Sequence, residues 1–187
     1  MHKGRMEAFT DGVMAIIITI MVLELKVPEG TGWEAMASLG HGFLGYVLSF
    51  LYVGIYWNNH HHLMQAHARV NGAVLWANLH LLFWLSLLPL ASRWIGEVGF
   101  APDPLILFGG LLAVSGIAYL ILERTLERAD GRAAARTPRW KGLGSELLYL
   151  TGMALAWAGH GWAAFVVLWL PALMWLIPDR RIERALS

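Results

Sequence analysis

Arg5-Met6-Glu7-Ala8-Phe9-Thr10-Asp11-Gly12-Val13-Met14-Ala15-Ile16-Ile17-Ile18-Thr19-Ile20-Met21-Val22-Leu23-Glu24-Leu25 places an arginine and an aspartate at the head of a long apolar run. An ionised carboxylate is costly at membrane depth, so a leading span that carries one is read as using it, paired with other groups inside a bundle. Arg5 and Asp11 stand too far apart to stack on one helix face. Each is therefore expected to bond to neighbouring helices, where Trp57, Asn58, His60, His61, Asn78 and His80 are available.

The rest of the chain continues in the same manner. It has 187 residues, 57% of them hydrophobic, and the apolar residues arrive in blocks. A spanning helix needs roughly 20 mostly apolar residues, and six blocks meet or approach that length. They lie near residues 9–27, 39–61, 70–95, 105–123, 143–158 and 162–177. The expected fold is an all-α integral membrane protein with six transmembrane helices in one domain over residues 1–187. No stretch between the blocks is long enough for a soluble catalytic head. The chain has no cysteine, which excludes disulfides and thiolate metal sites. No cleavable signal is expected, because the first apolar block continues to spanning length.

Basic residues orient the chain. With the amino terminus inside, six spans return the carboxyl terminus to the cytoplasm, and all but Lys26 and Arg93 of the 14 Lys and Arg fall on the inner side. Residues 124–141 form the longest polar segment and read as a cytoplasmic loop, partly helical. Positive-inside bias and anionic headgroups account for its arginines without a nucleic-acid partner. Most of the 10 Trp residues cluster near span ends and read as interfacial anchors. Pro89 and Pro171 read as kinks within spans.

On a helical projection of the first span, Ile16, Thr19, Ile20 and Leu23 share one face, extended by Gly12 and Val27, and Asp11 falls on the opposite side. Such a stripe more often packs against a neighbour than lines a pore, and periodicity by itself favours packing. Thr19 offers a hydroxyl on that face, either to an ion or back to the carbonyl of Ala15. Glu24 lies near the outer end as an interfacial, solvated carboxylate that could also concentrate cations.

The pattern Arg5-x-x-x-Phe9-Thr10-Asp11-Gly12 followed by an Ile/Leu/Val-rich span resembles the Arg-x-x-x-Phe-Ser-Asp signature of the lysosomal/endosomal potassium channel family, transmembrane protein 175, in its small prokaryotic members. Ser49-Phe50, Tyr56-Trp57-Asn58-Asn59-His60-His61 and Leu75-Trp76-Ala77-Asn78-Leu79 are also similar to family sequence. Thr10 replaces the usual Ser and keeps its hydroxyl. Asn71 stands where an acid is common. The resemblance implies a homotetramer with the first helices around a central pore, Ile16 as a hydrophobic constriction, Ile20 and Leu23 as further rings, and Thr19 as a contributor to selectivity. The chain holds no Thr-Val-Gly-Tyr-Gly filter, so weak selectivity for K+ over Na+ is expected.

On this reading the chain is a leak-type, K+-permeable channel of a prokaryotic plasma membrane, without enzyme activity or cofactor. Its partners are further copies of itself, membrane lipids and permeant K+, with Na+, Cs+ and H+ as other candidates, and no nucleic acid. Arg5, Phe9, Thr10, Asp11, Trp57, His60 and His61 are the candidates for a network holding the pore helix in register. Consecutive histidines diverge by about 100° on a helix, which disfavours chelation of one metal ion by His60, His61 and His62; a role in pH sensing suits them better. The alternative is a proton- or cation-coupled transporter with Asp11 and His80 as titrating groups. A haem or quinone enzyme is a weaker third, for want of histidines at matched depth.

Overall fold

A computed structural model describes residues 3–37, 39–131 and 138–176. Among these, eight helices follow one another: α1 (Lys3–Leu23), α2 (Trp33–Ala37), α3 (Gly40–Ala66), α4 (Gly72–Leu85), α5 (Leu88–Val98), α6 (Pro102–Asp130), α7 (Arg139–Trp157) and α8 (Gly161–Leu176). Three stretches are long and apolar enough to cross a membrane: Lys3–Leu23, Gly72–Val98 and Pro102–Asp130. Gly161–Leu176 is apolar but shorter. α3 has the length, at 27 residues, and dilutes its apolar residues with the polar run from Asn58 to His62.

The expected span at 70–95 is two helices. Ser86 turns its hydroxyl back to the carbonyl of Phe83 at 2.7 Å, the Leu87 N–H bonds to Trp84 one residue short of α-helical register, and Pro89 has no N–H to give. The chain therefore restarts, with Pro89 in the first turn of α5, where a missing donor costs nothing. Pro171 does sit inside a helix, α8. The expected loop at 124–141 is also largely helix: α6 continues to Asp130, ends at Gly131 in the left-handed conformation with φ 67°, and carries Arg128 in its last turn, where a cation suits the helix dipole. Residues 132–137 of that loop lie outside the described residues, as do Arg180, Arg181 and Arg184 of the tail.

Asn71 caps α4, its side-chain oxygen accepting from the Val74 N–H at 3.0 Å. An Asp would supply the same acceptor, so Asn at this position keeps the cap.

α6 packs against α4, α5, α7 and α8, while α3 packs against α1, α5 and α8. α3 and α5 cross closely where two glycines face each other: a Cβ on Gly96 would lie 3.1 Å from the Gly42 Cα. The core runs through Leu48, Tyr52, Leu81, Leu85, Phe108, Leu112 and Leu168, all almost fully buried. α1 joins this body along one side, against α3, α4 and α5.

Candidate functional site

α1 has two unlike faces. Met6, Thr10, Met14, Ile17 and Met21 recur every three or four residues and are buried against the body, which is the spacing that keeps side chains in one helical stripe. Ile16, Thr19, Ile20 and Leu23 lie on the other side and are exposed in the single chain, Leu23 to 81% and Ile16 to 58%. Phe9, at 53%, and Gly12 continue this exposed face toward the amino terminus. The four candidate pore positions are thus brought together, and among the described residues each stays exposed.

The Thr19 hydroxyl donates to the carbonyl of Ile16 at 2.9 Å, one residue nearer than the expected Ala15. The bond uses the hydroxyl hydrogen and leaves oxygen lone pairs available.

Behind this face, two short polar chains tie α1 to the body. In the first, the Asn78 amide donates to Thr10 Oγ1 at 2.8 Å, and His60 Nε2 meets Asn78 Oδ1 at 2.9 Å. A carbonyl oxygen only accepts, so Nε2 carries the hydrogen in this arrangement. Thr10, Asn78 and His60 are all buried; satisfied polar groups of this kind hold helices in register, since breaking them leaves buried donors and acceptors without partners. In the second chain, Trp57 Nε1 donates to Asp11 Oδ1 at 2.9 Å, the Trp57 ring stacks on His61, and His61 shares a 2.9 Å hydrogen bond with Gln65.

The expected network is therefore present in part. Thr10, Asp11, Trp57, His60 and His61 fall in two linked groups, whereas Arg5 and Phe9 are exposed and, among the described residues, take no part. Asp11 is also exposed in one chain; it stands at the edge of the buried stripe, where the Trp57 indole reaches it. Asn78 carries the first chain and was legible only as an amide within an apolar span. The consecutive histidines diverge as the helical step requires, His60 toward Asn78 and His61 onto Trp57.

Glu24 is not simply solvated. Arg93 Nη1 lies 2.8 Å from Glu24 Oε2, and Arg93 Nε lies 3.2 Å from Glu97 Oε1, so one guanidinium clamps the end of α1 to α5. His80 accepts from Trp84 Nε1 at 2.8 Å on its own helix. Among the described residues no hydrogen bond joins it to Asp11, as a relay between the two would need.

Residues 5–89 match the model of the TMEM175 family, described as the endosomal/lysosomal potassium channel. A potassium channel of Chryseobacterium sp. (strain P1-3) is 52% identical over 191 residues, spanning 100% of this chain and 99% of that one. A potassium channel of Chamaesiphon minutus (strain ATCC 27169 / PCC 6605) is 30% identical over 147 residues, 74% of this chain and 72% of that one. The crystal structure of a lysosomal potassium-selective channel TMEM175 homolog from Chamaesiphon minutus superposes with a TM-score of 0.75 at 24% identity, over 94% of this chain and 96% of the other. That likeness is one of fold, and it extends well past the segment that carries the motif. With the Arg5 to Asp11 motif, the all-helical architecture and a relative 52% identical from end to end, the chain belongs to the TMEM175 family of ion channels, which are not enzymes.

Proposed function

We propose that four copies of this chain surround a K+-permeable pore lined by α1, in the plasma membrane of a prokaryote, with six passes and both termini cytoplasmic. The observation that carries the reading is the uncovered stripe of Ile16, Thr19, Ile20 and Leu23 opposite a fully packed stripe on the same helix. The names of the relatives, potassium channels in both bacteria cited, supply the ion.

In this pore a ring of four Ile16 side chains offers no oxygen to an ion. Narrow, it seals by dewetting; wider, it passes ions that keep part of their shell. K+ is favoured over Na+ because its hydration is weaker, and the discrimination is correspondingly modest, so Na+ and Cs+ pass to some degree and H+ is a further candidate. Ile20 and Leu23 repeat the ring toward the Glu24 end, and Thr19 contributes hydroxyl oxygen between Ile16 and Ile20. The two polar chains behind α1 hold the lining helix in register, and their rearrangement accompanies opening.

Purified chain in liposomes tests this, with K+ and Na+ gradients applied to the parent and to Ile16→Asn. The expected result is K+-preferring flux that follows the ion gradient alone and rises or loses selectivity in the variant, because an amide ring holds water where isoleucine excludes it. Absence of flux in both proteins under K+, Na+ and pH gradients overturns the channel reading in favour of a coupled carrier.

A further inference from the structure

Away from α1, the helices α3, α6, α7 and α8 line a mostly apolar cavity. Tyr56 of α3, Tyr119 of α6, Glu146 and Tyr149 of α7, and Trp175 of α8 line a cavity of 50 Å³. One water needs about 10–15 Å³ by the same measure, so the space suits a group of a few heavy atoms. Its aromatic walls are locked at their polar ends. Tyr119 donates its hydroxyl to the Asn59 carbonyl at 3.0 Å, Tyr56 to the Leu112 carbonyl at 3.4 Å, and Trp175 Nε1 to Ser145 Oγ at 2.9 Å. The Tyr56 and Tyr119 rings lie 6.2 Å apart by centroid. With their hydroxyls spent on backbone, these residues present ring surface to the cavity.

One carboxyl group enters this aromatic lining. The Glu146 carboxylate reaches across to α6, where its Oε1 lies 2.5 Å from the place a Cβ on Gly116 would occupy. A methyl at 116 would push the flexible carboxylate out of this position. Among the described residues no side chain forms an ion pair or hydrogen bond with Glu146. The neighbourhood already holds one cation on a ring face, the Lys141 ammonium 5.4 Å from the Trp175 centroid.

A carboxylate beside electron-rich rings complements a particular class of ligand. An anion is repelled. A bare metal cation would exchange its hydration shell for a single carboxylate, where hard cations ask for about six oxygens. An organic ammonium satisfies both parts of the wall, its charge on the carboxylate and its polarised C–H and N–H groups on the ring faces. We propose that the cavity between Tyr56, Tyr119, Tyr149, Trp175 and Glu146 is a binding site for a small organic ammonium, supplied by a lipid amine headgroup or by a free alkylamine. The site shares no residue with the α1 stripe, and the inference does not depend on the channel reading.

The test uses the full chain. Ethylammonium chloride is titrated calorimetrically into protein in amine-free detergent, with potassium chloride as the matched control. In parallel, protein reconstituted with phosphatidylethanolamine or phosphatidylglycerol is examined by native mass spectrometry for retained lipid. The variants are Glu146→Gln, which removes the charge, Gly116→Ala, whose methyl displaces the carboxylate while keeping the charge, and Tyr119→Phe, which keeps the ring. Far-UV circular dichroism checks that each is folded. Saturable ethylammonium binding, weakened about tenfold or more by Glu146→Gln and by Gly116→Ala and retained in Tyr119→Phe, supports the site and a free amine. Selective retention of phosphatidylethanolamine, lost in folded Glu146→Gln, supports the site and a lipid amine. Binding of neither source, or binding unchanged in Glu146→Gln, overturns the proposal.

Discussion

Trp57 and Asp11 are joined across the contact between α3 and α1: the indole Nε1 donates to the carboxylate Oδ1 at 2.9 Å, while the same ring stacks on His61 with centroids 5.9 Å apart and planes 19° apart. The bond gives the exposed acid of α1 a fixed partner, and the stack fixes the partner.

Trp57→Phe separates these two contributions, because it removes the donor and keeps an aromatic ring for His61. Both residues are exposed in the chain, so the loss is expected to be modest, about 1 kcal/mol. Thermal unfolding in detergent measures it. A double variant with Asp11→Ala should lose little more than either single variant, since the two act on one interaction; full additivity would show that the bond contributes nothing.

Asn78→Leu should cost more. It strips the buried Thr10 and His60 of their shared partner, and each buried polar group left unsatisfied costs about 1–3 kcal/mol. Denaturation of the purified protein should shift accordingly, and a variant as stable as the parent would remove the Thr10–Asn78–His60 chain from the account of how α1 is held.

Arg93→Gln tests the clamp at the other end of α1. The guanidinium now offsets Glu24 and Glu97; without it, two carboxylates near the proposed outer mouth should raise local cation concentration and K+ conductance at low salt. At ~1 M salt, where the Debye length falls to about 3 Å, parent and variant currents should converge. A difference that persists at high salt would point to altered gating instead.

His67 is expected to make the fold sensitive to acid. It sits at the junction after α3, buried, and among the described residues neither ring nitrogen is hydrogen-bonded. Burial holds its pKa below the ordinary 6.5, and the carboxylates of Asp130, Glu127 and Glu123 only partly oppose this, with Lys3 acting in the same direction as burial. A base whose folded pKa is depressed binds fewer protons folded than unfolded, so its contribution to stability is present above the ordinary value and falls away as pH drops below it. Unfolding midpoints measured from neutral to mildly acidic pH should decline over that window, and His67→Phe should flatten the decline. An unchanged slope in the variant would assign the acid sensitivity to other groups.

Periodicity and composition along the chain were enough for the all-helical membrane fold, because an apolar block of spanning length has one inexpensive conformation in lipid, the helix that satisfies its own backbone. They also grouped Ile16, Thr19, Ile20 and Leu23 on one face, since a helix repeats at a constant angle, and the motif from Arg5 to Gly12 pointed to the family. Pro89 marked a kink in the third block, but the full break at Ser86 and Leu87 was not legible, because the hydrophobic pattern runs through it and local hydrogen bonds made the choice. Nor was the choice of Asn78 as the link between Thr10 and His60, the pairing of Glu24 with Arg93, 69 residues away, or the entry of Glu146 beside Gly116. Those relations join residues distant in sequence, and only the packing of one helix against another decides which polar groups meet.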